Sequence, residues 1–330
     1  MTDEKNSKNE LSKSADSAGT RPRRRKRRLL RVVLLLLLLG VAAVFATPEI
    51  IARTSLRNAL IPQVAPEYDG KIVLGQTTLG WFKPIIVDQV TLKHPEGETW
   101  AVVHELQGQY SLLDLILEPS QLGQWSAASC EVSIVCEPGM TDAERWLLEI
   151  TKEQGGQKAS NVSFSTKKID LTLTAADREE KFRLQDLEYR QTSDSEVGLK
   201  CQVQPLSANE MPHGPLHLDL NLSESLQAEV TAEQFPLATL YPLFVRLGET
   251  KRKLSGTTNG HWKMALNEQS QFVCDGEGTV SSFAVMEADT PLLEVESLTL
   301  DVALQSSKTG WNLSRLNGKT DFGNISLNGS

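Results

Sequence analysis

The amino-acid sequence predicts a mainly β protein with one N-terminal transmembrane helix. Two observations predict this fold class. A basic block runs directly into an apolar run of 18 residues, from Leu29 to Ala46, whose only charge is Arg31. From Lys71 onward, apolar and polar residues alternate in one segment after another. Alternation with a period of two is typical of strands with one buried and one wet face, and such strands usually pair antiparallel.

The N-terminal part divides into a polar tail and an apolar helix. We expect residues 1–28 to form a disordered cytoplasmic tail, because they are polar and lack hydrophobic periodicity. Residues 29–47 are the predicted transmembrane helix. Eighteen helical residues cover about 27 Å, and the hydrocarbon core of a bilayer is about 30 Å thick. Residues 48–68 are predicted to continue as a juxtamembrane helix or linker that ends at Pro62 and Pro66.

The basic block predicts the side of the membrane on which each part of the chain lies. Excess Lys and Arg stay on the cytoplasmic side, so the rest of the chain is expected on the other side. Alternative interpretations are a signal peptide cleaved after Ala46, a twin-arginine signal and a nucleic-acid patch. The length of the apolar run and its position directly after the block favour an anchor. The residues assigned to membrane topology are Arg23, Arg24, Arg25, Lys26, Arg27 and Arg28.

The charge balance beyond the anchor restricts the partners. After Ala46 the chain holds 23 Lys and Arg against 38 Asp and Glu. An acidic exterior argues against nucleic acid as a partner. It also argues against a folded part that lies flat on an anionic membrane surface.

Three segments beyond Lys71 have a helical pattern. They are Ser111–Glu118, Thr141–Gln154, which begins with a capping box, and Phe235–Gly248, which contains two prolines. Each is inserted between alternating segments, so we expect each to plug or cap one end of a sheet.

The apolar side of the alternating strands is the candidate functional surface. One interpretation is the closed core of a β-sandwich. The other is a groove that holds acyl chains, since these need apolar area and no hydrogen bonds. The residues expected to line such a groove are Leu199, Val203, Leu216, Leu218, Leu220, Leu222, Val230, Leu300, Val302 and Leu304.

The sequence carries no pattern typical of a catalytic or metal centre, so neither an enzyme nor a cofactor is predicted. His213 and His217 in one strand would lie about 13 Å apart, too far to share a metal ion. The run from Asp275 to Gly278 is predicted to be strand or turn backbone. Cys130 and Cys136 are predicted to be small buried apolar residues. A disulfide between Cys201 and Cys274, or another cross-strand pair, stays open.

The order of elements resembles a known family. After the anchor come Gly75-Gln-Thr-Thr-Leu-Gly-Trp-Phe-Lys-Pro84, a Leu-rich segment ending at Leu117, and a strand from Cys130 to Cys136 followed by Glu137-Pro138. Later, Phe235-Pro-Leu-Ala-Thr-Leu-Tyr-Pro-Leu243 leads to Leu254-Ser-Gly256. This arrangement resembles the N-terminal region of the AsmA/TamB superfamily of envelope proteins.

The resemblance implies a fold, a location and a function. Residues 69–330 would form an elongated, curled antiparallel-type sheet, a trough that continues beyond residue 330. The protein would sit in the inner membrane of a diderm bacterium, with its bulk in the periplasm. Its apolar concave side would carry phospholipid acyl chains between membranes or support outer-membrane assembly with envelope protein partners. The alternative is an anchored periplasmic scaffold or protein-interaction module with a closed core.

The predicted orientation has a direct test. A reporter that is active only outside the cytoplasm, fused after Ser330, should be active, because the basic block holds the N-terminus inside. Replacing the cations of residues 21–28 by neutral residues should weaken this activity. A wild-type fusion that is active only in the cytoplasm, or a mature chain that begins at Thr47, would contradict the anchored topology.

Overall fold

A computed structural model of the chain describes residues 23–54, 68, 70–118, 121–141, 161–176, 178–193, 196–206, 213–223, 225–249, 251–266, 271–287, 290–307 and 310–327. The chain divides into two compact units, Met1–Ile50 and Ile51–Ser330. The predicted fold class is confirmed: the protein is mainly β, with one N-terminal apolar helix and a large curled sheet that has few helices.

Helix α1 spans Arg23–Arg53. It begins inside the segment predicted to be a disordered tail, so residues 23–28 are helical; Arg and Lys are good helix formers. It also passes Pro48, beyond the predicted end at residue 47. The Thr47 hydroxyl donates a hydrogen bond to the Ala43 carbonyl at 2.8 Å in this turn. The predicted linker over 55–67 and the tail over 1–22 lie outside the described residues.

One stretch of α1, Val33–Arg53, is long and apolar enough to cross a membrane. It has 21 residues and a mean hydropathy of 2.3. Its side chains are almost all exposed.

The sheet begins with seven strands. β1 and β2 both pair with β3, which pairs with β4. β5 and β6 follow each other with one residue between them, and both pair with β4. The strands are β1 (Lys71–Leu74), β2 (Thr77–Thr78), β3 (Ile86–Lys93), β4 (Thr99–Gly108), β5 (Gln121–Ala127), β6 (Ser129–Glu137) and β7 (Met140–Thr141).

Ten further strands form a meander in which each pairs antiparallel with the next. One departure from the predicted antiparallel sheet is β8, which runs parallel to β5 and β6. The strands are β8 (Asn161–Ala175), β9 (Arg178–Ser193), β10 (Glu196–Pro205), β11 (Leu216–Leu222), β12 (Leu226–Pro236), β13 (Arg252–Leu266), β14 (Phe272–Glu287), β15 (Thr290–Ser307), β16 (Gly310–Thr320) and β17 (Gly323–Leu327).

The register gives the sheet one apolar and one polar side. Directly paired residues point to the same side of a sheet. One row of such partners therefore follows a single face from β5 to β15 and is almost entirely apolar. We call this side the aliphatic face and the opposite side the ion-pair face. The row is Trp125, Phe164, Tyr189, Leu199, Leu220, Ala228, Met264, Cys274 and Leu304.

A line of irregular residues crosses the first half of the sheet. It consists of five residues, four within strands and one between β5 and β6, at which the regular hydrogen-bond ladder is interrupted. Two of them, Glu105 and Asp186, have positive φ angles of 52° and 50°. The side chains of all five are exposed. Odd and even positions exchange faces across this line, so Leu106 and Val103 both belong to the aliphatic face. The line, which we call the crease, consists of Asp88, Glu105, Ala128, Lys167 and Asp186.

A short helical segment covers one end of the aliphatic face. It joins β12 to β13 and consists of a 3₁₀-helix, Leu237–Leu240, followed by α3, Tyr241–Arg246. We call this segment the plug. The Gly139 amide donates a hydrogen bond to the Arg246 carbonyl at 2.6 Å and ties the end of α3 to the β6–β7 turn. The plug and the strands under it share one buried cluster, which consists of Cys136, Leu173, Ala175, Phe182, Ala232, Phe235, Tyr241 and Val245.

The plug also shows how strongly the sheet curls. Its 3₁₀-helix contacts β13, and α3 contacts β6 and β8. In a flat sheet, the six spacings from β6 to β13 would cover about 29 Å. The ten residues of the plug cover only about 17 Å. The sheet therefore curls towards its aliphatic face, which is concave here.

Two of the three predicted helical segments are confirmed. The first is helix α2, Leu112–Leu117, where Ser111 and Asp114 form the capping box. Phe235–Gly248 contains the plug, although Phe235 and Pro236 still belong to β12. In the third segment, Thr141 lies in strand β7, and the rest falls outside the described residues.

The cluster under the plug predicts an asymmetry between two phenylalanines. Phe235→Ala should lower the free energy of unfolding by about 3–5 kcal/mol, because it leaves a cavity under the plug; the side chain is 1% exposed. Phe322→Ala, in the β16–β17 turn and 78% exposed, should change it by less than about 0.5 kcal/mol. Denaturant unfolding of the full chain in detergent measures both. Equal effects would show that the plug does not pack as described.

Candidate functional site

The ten residues predicted to line a groove lie on one face. Leu199 pairs with Leu220, Val203 with Leu216, and Leu218 with Val230. Leu222 lies two positions after Leu220 in β11 and faces the same side. The three residues in β15 face this side through β13 and β14. Their partners in β14 are Gly278 for Leu300, Gly276 for Val302 and Cys274 for Leu304. The structure thus brings together strands that are about a hundred residues apart in sequence.

The exposure of these ten residues distinguishes an open face from a closed core. In a β-sandwich, a second sheet covers the inner side chains and buries them. Here Leu222 is 39% exposed and the other nine are half-buried. Within the described part of the chain, the plug covers the face only at one end. The middle and the opposite end of the face remain accessible.

Three glycines lie between the predicted groove residues of β10–β12 and those of β15. A Cβ atom at Gly260 or Gly278 would come within 2.4 Å of the Trp262 ring, and one at Gly276 within 2.6 Å. The indole therefore lies flat against the backbone of β13 and β14. The same arrangement recurs where the Trp125 ring lies over Gly108. Gly276 and Gly278 alternate within one strand, and this spacing is the signal that sequence reasoning missed.

An aromatic group marks the β5–β9 side of the face. Trp125, Phe164 and Tyr189 are direct partners on three neighbouring strands. The Trp125 indole N–H donates to the Leu122 carbonyl at 2.9 Å, and the Tyr189 hydroxyl donates to Gln191 at 2.8 Å. Burial raises the pKa of Tyr189. The sequence did not indicate this group, because it depends on the parallel pairing of β8.

Opposite charges are paired across neighbouring strands on the ion-pair face. Lys200 contacts Asp219 at 2.6 Å, and Arg315 contacts Asp301 at 2.6 Å and Asp275 at 3.2 Å. The hydrogen bond that Lys200 donates to Asp219, together with the negative charge of Asp219, raises the pKa of Lys200. Burial pushes the pKa of Asp170 upward, but hydrogen bonds from Lys168 and Arg183 outweigh it and hold this pKa below its usual range. Such exposed pairs contribute little stability each, but they keep this face hydrated.

All four cysteines are free thiols on the aliphatic face. Cys130 and Cys136 are buried, as predicted. Cys201 in β10 and Cys274 in β14 are separated by three strands, too far for the disulfide that the sequence left open. Burial raises the pKa of Cys201, and burial together with the charge of Asp275 raises that of Cys274.

Hollows also occur on the surface of the described sheet. One, of about 580 Å³, includes Trp125, Phe164, Tyr189 and Arg190 in its lining. Two of about 400 Å³ lie near Asp170 and near Glu229. None of the ten predicted residues lines these three hollows.

Neither metal ligands in the described ranges nor a matching family points to a function for the site. In the described ranges, no group of three or more His, Cys, Asp and Glu side chains is placed to hold a metal ion. Comparison with protein-family models and with curated proteins gives no match. The geometry of the aliphatic face is therefore the feature that bears on function.

The thiols give a test of this geometry. In the native protein, alkylation should be slow at neutral pH, because burial hinders the reagent and the raised pKa values of Cys130, Cys201 and Cys274 keep these three thiols protonated. Half-buried Cys274 should react first, and the Cys274→Ser variant should lose this first adduct. After denaturation without reductant, intact-mass measurement should find four adducts. Fewer than four would reveal a disulfide.

Proposed function

We propose that the protein is a membrane-anchored periplasmic lipid-binding or lipid-transfer protein of the AsmA-like type that supports outer-membrane biogenesis. The observation that carries this proposal is the continuous aliphatic face, which the described chain covers only at the plug. Contiguous apolar surface that stays partly exposed is typical of a binding site.

The chemistry of the face suits acyl chains. Its lining is dominated by Leu, Val, Ile and Ala, which offer area without hydrogen-bonding groups. Each square ångström of apolar surface removed from water contributes about 25 cal/mol, and this gain does not depend on precise orientation. A surface of this kind favours phospholipid tails over a polar ligand.

The remaining parts of the chain fit the same proposal. The Val33–Arg53 stretch of α1 would hold the protein in the inner membrane, with the cations of residues 23–28 on the cytoplasmic side. The ion-pair face would turn towards the aqueous periplasm and be available to envelope protein partners.

One observation favours the alternative, an anchored scaffold with a closed core. Phe235 in β12 and Pro242 in the plug are fully buried, and the cluster around Phe235 resembles an ordinary protein interior. This cluster occupies one end of the face. A scaffold would need the same degree of burial at Leu218 and Leu220, which are half-buried.

Substitution to aspartate on either face of β11 distinguishes the lipid carrier from the scaffold. Leu218→Asp should abolish lipid co-purification and leave the melting temperature nearly unchanged, because a wet groove tolerates a carboxylate. Asn221→Asp, on the ion-pair face of the same strand, should change neither. Lipid extraction and thermal melting of the full chain in a mild detergent measure both properties.

The closed core predicts the opposite result for the same variants. There, Leu218→Asp would bury an unpaired charge and cost several kcal/mol, on the order of the whole stability of a domain. A wild-type protein without lipid, together with an unfolded Leu218→Asp variant, would defeat the lipid-carrier proposal.

A further inference from the structure

We propose that the aliphatic face measures acyl-chain length: one acyl chain lies along the strand direction with its methyl end at the plug and its polar end at the opposite edge. This inference rests on the proposed function and adds an orientation and a limit of length to it. Its occupant is a single lipid acyl chain, and each further chain would lie beside it in the same direction.

The plug closes one end of the aliphatic face to an acyl chain, and we call this closed end the floor. At this end of β12, Ala232 is 3% exposed and Phe235 is 1% exposed. Tyr241 and Val245 lie over the same side, and both are buried. Phe182 and Leu173 fill the space towards β8 and β9. A methylene chain that follows the strands therefore stops here.

The opposite end of the same strands is open. Leu222 pairs with Leu226, and Leu226 pairs with Leu266, so the three leucines form a row across β11, β12 and β13. Each of them is 39% exposed. Along β12, exposure thus rises from Ala232 at the plug to Leu226 at the rim, with half-buried Val230 and Ala228 between them. We call this row of leucines the rim.

The distance between floor and rim fits an acyl chain. Six residues separate Ala232 from Leu226 in one strand, which corresponds to about 20 Å. One acyl chain spans half of the hydrocarbon core of a bilayer, about 15 Å. A chain that starts at the plug therefore ends near the rim, and the attached polar group reaches water without being buried.

The limit applies to the acyl chain and not to the polar group. Ser223 and Ser225 flank the rim residues Leu222 and Leu226, and Glu224 lies between these serines in the sequence. The expected ligand class is a lipid that is selected by its acyl length.

The length limit predicts how affinity depends on the ligand. Each added methylene that finds room on the face should raise affinity, by at most about fourfold, the effect of moving one methylene fully out of water. We call the path between the rim and the plug the track. Affinity should stop rising once the acyl chain fills this track. Binding of phosphatidylethanolamines of increasing acyl length to the full chain, delipidated in detergent, measures this curve.

A bulky residue in the middle of the track should shorten it. Ala228 lies on the aliphatic face between Leu220 and Met264. Ala228→Phe should reach its affinity plateau at a shorter chain and bind the longest lipids about tenfold more weakly or worse. Gln227→Phe, the same bulk on the ion-pair face of β12, should leave the curve unchanged. Ala228→Leu is a milder obstruction that keeps the test valid if the phenylalanine disturbs folding.

The outcomes separate the two proposals. A shifted plateau in the Ala228 variants alone supports the length limit. Tight lipid binding that rises with chain length without a plateau, or a plateau that does not move, overturns the length limit and leaves the lipid carrier intact. A wild-type protein that binds none of the lipids overturns both.

Discussion

The cross-strand register is the constraint on which the rest of this structure depends. A slip of one residue in any hairpin would move every later leucine from the aliphatic face to the ion-pair face. The row from Trp125 to Leu304 shows that the register holds over nine neighbouring strand sections. Pairs such as Lys200 with Asp219 reinforce it, because a slip would also separate the charges.

The plug turns this two-sided sheet into an asymmetric one. A curled sheet with two open ends would expose its apolar side equally at both. Here the buried cluster around Phe235 and Tyr241 closes one end, and the leucine rim at the other end remains exposed. The same short segment holds β13 close to β6 and β8, so it sets the curvature as well as the floor.

The two faces of the sheet interact with water in opposite ways. The aliphatic face offers area that gains free energy when it leaves water, and it lacks the second layer that would satisfy it within the described chain. The ion-pair face carries charges whose mutual attraction is weak in water but whose hydration is strong. Glycines under Trp262 let a large ring lie flat, so the apolar surface stays smooth where two groups of leucines meet.

The sequence alone determined the apolar helix, the β class and the inward direction of the ten leucine and valine positions. The reason is that periods of two and of 3.6 are local properties, and a long apolar run is local too. In β11 the alternation from Leu216 to Leu222 is uninterrupted, so the strand and its two faces could be predicted directly. The start of α1 was predicted less well, because basic residues near the helix are compatible with both a tail and a helix.

Only the tertiary structure decided which strands share a face. In β9, Phe182 and Leu184 are even positions and Tyr189 is odd, yet all three point to the aliphatic side because the crease at Asp186 exchanges the two parities. A local pattern contains no sign of such an exchange, since an exposed Asp with positive φ looks like any other surface residue. The parallel pairing of β8 and the contact of α3 with β6 join residues far apart in sequence, so packing alone determined them.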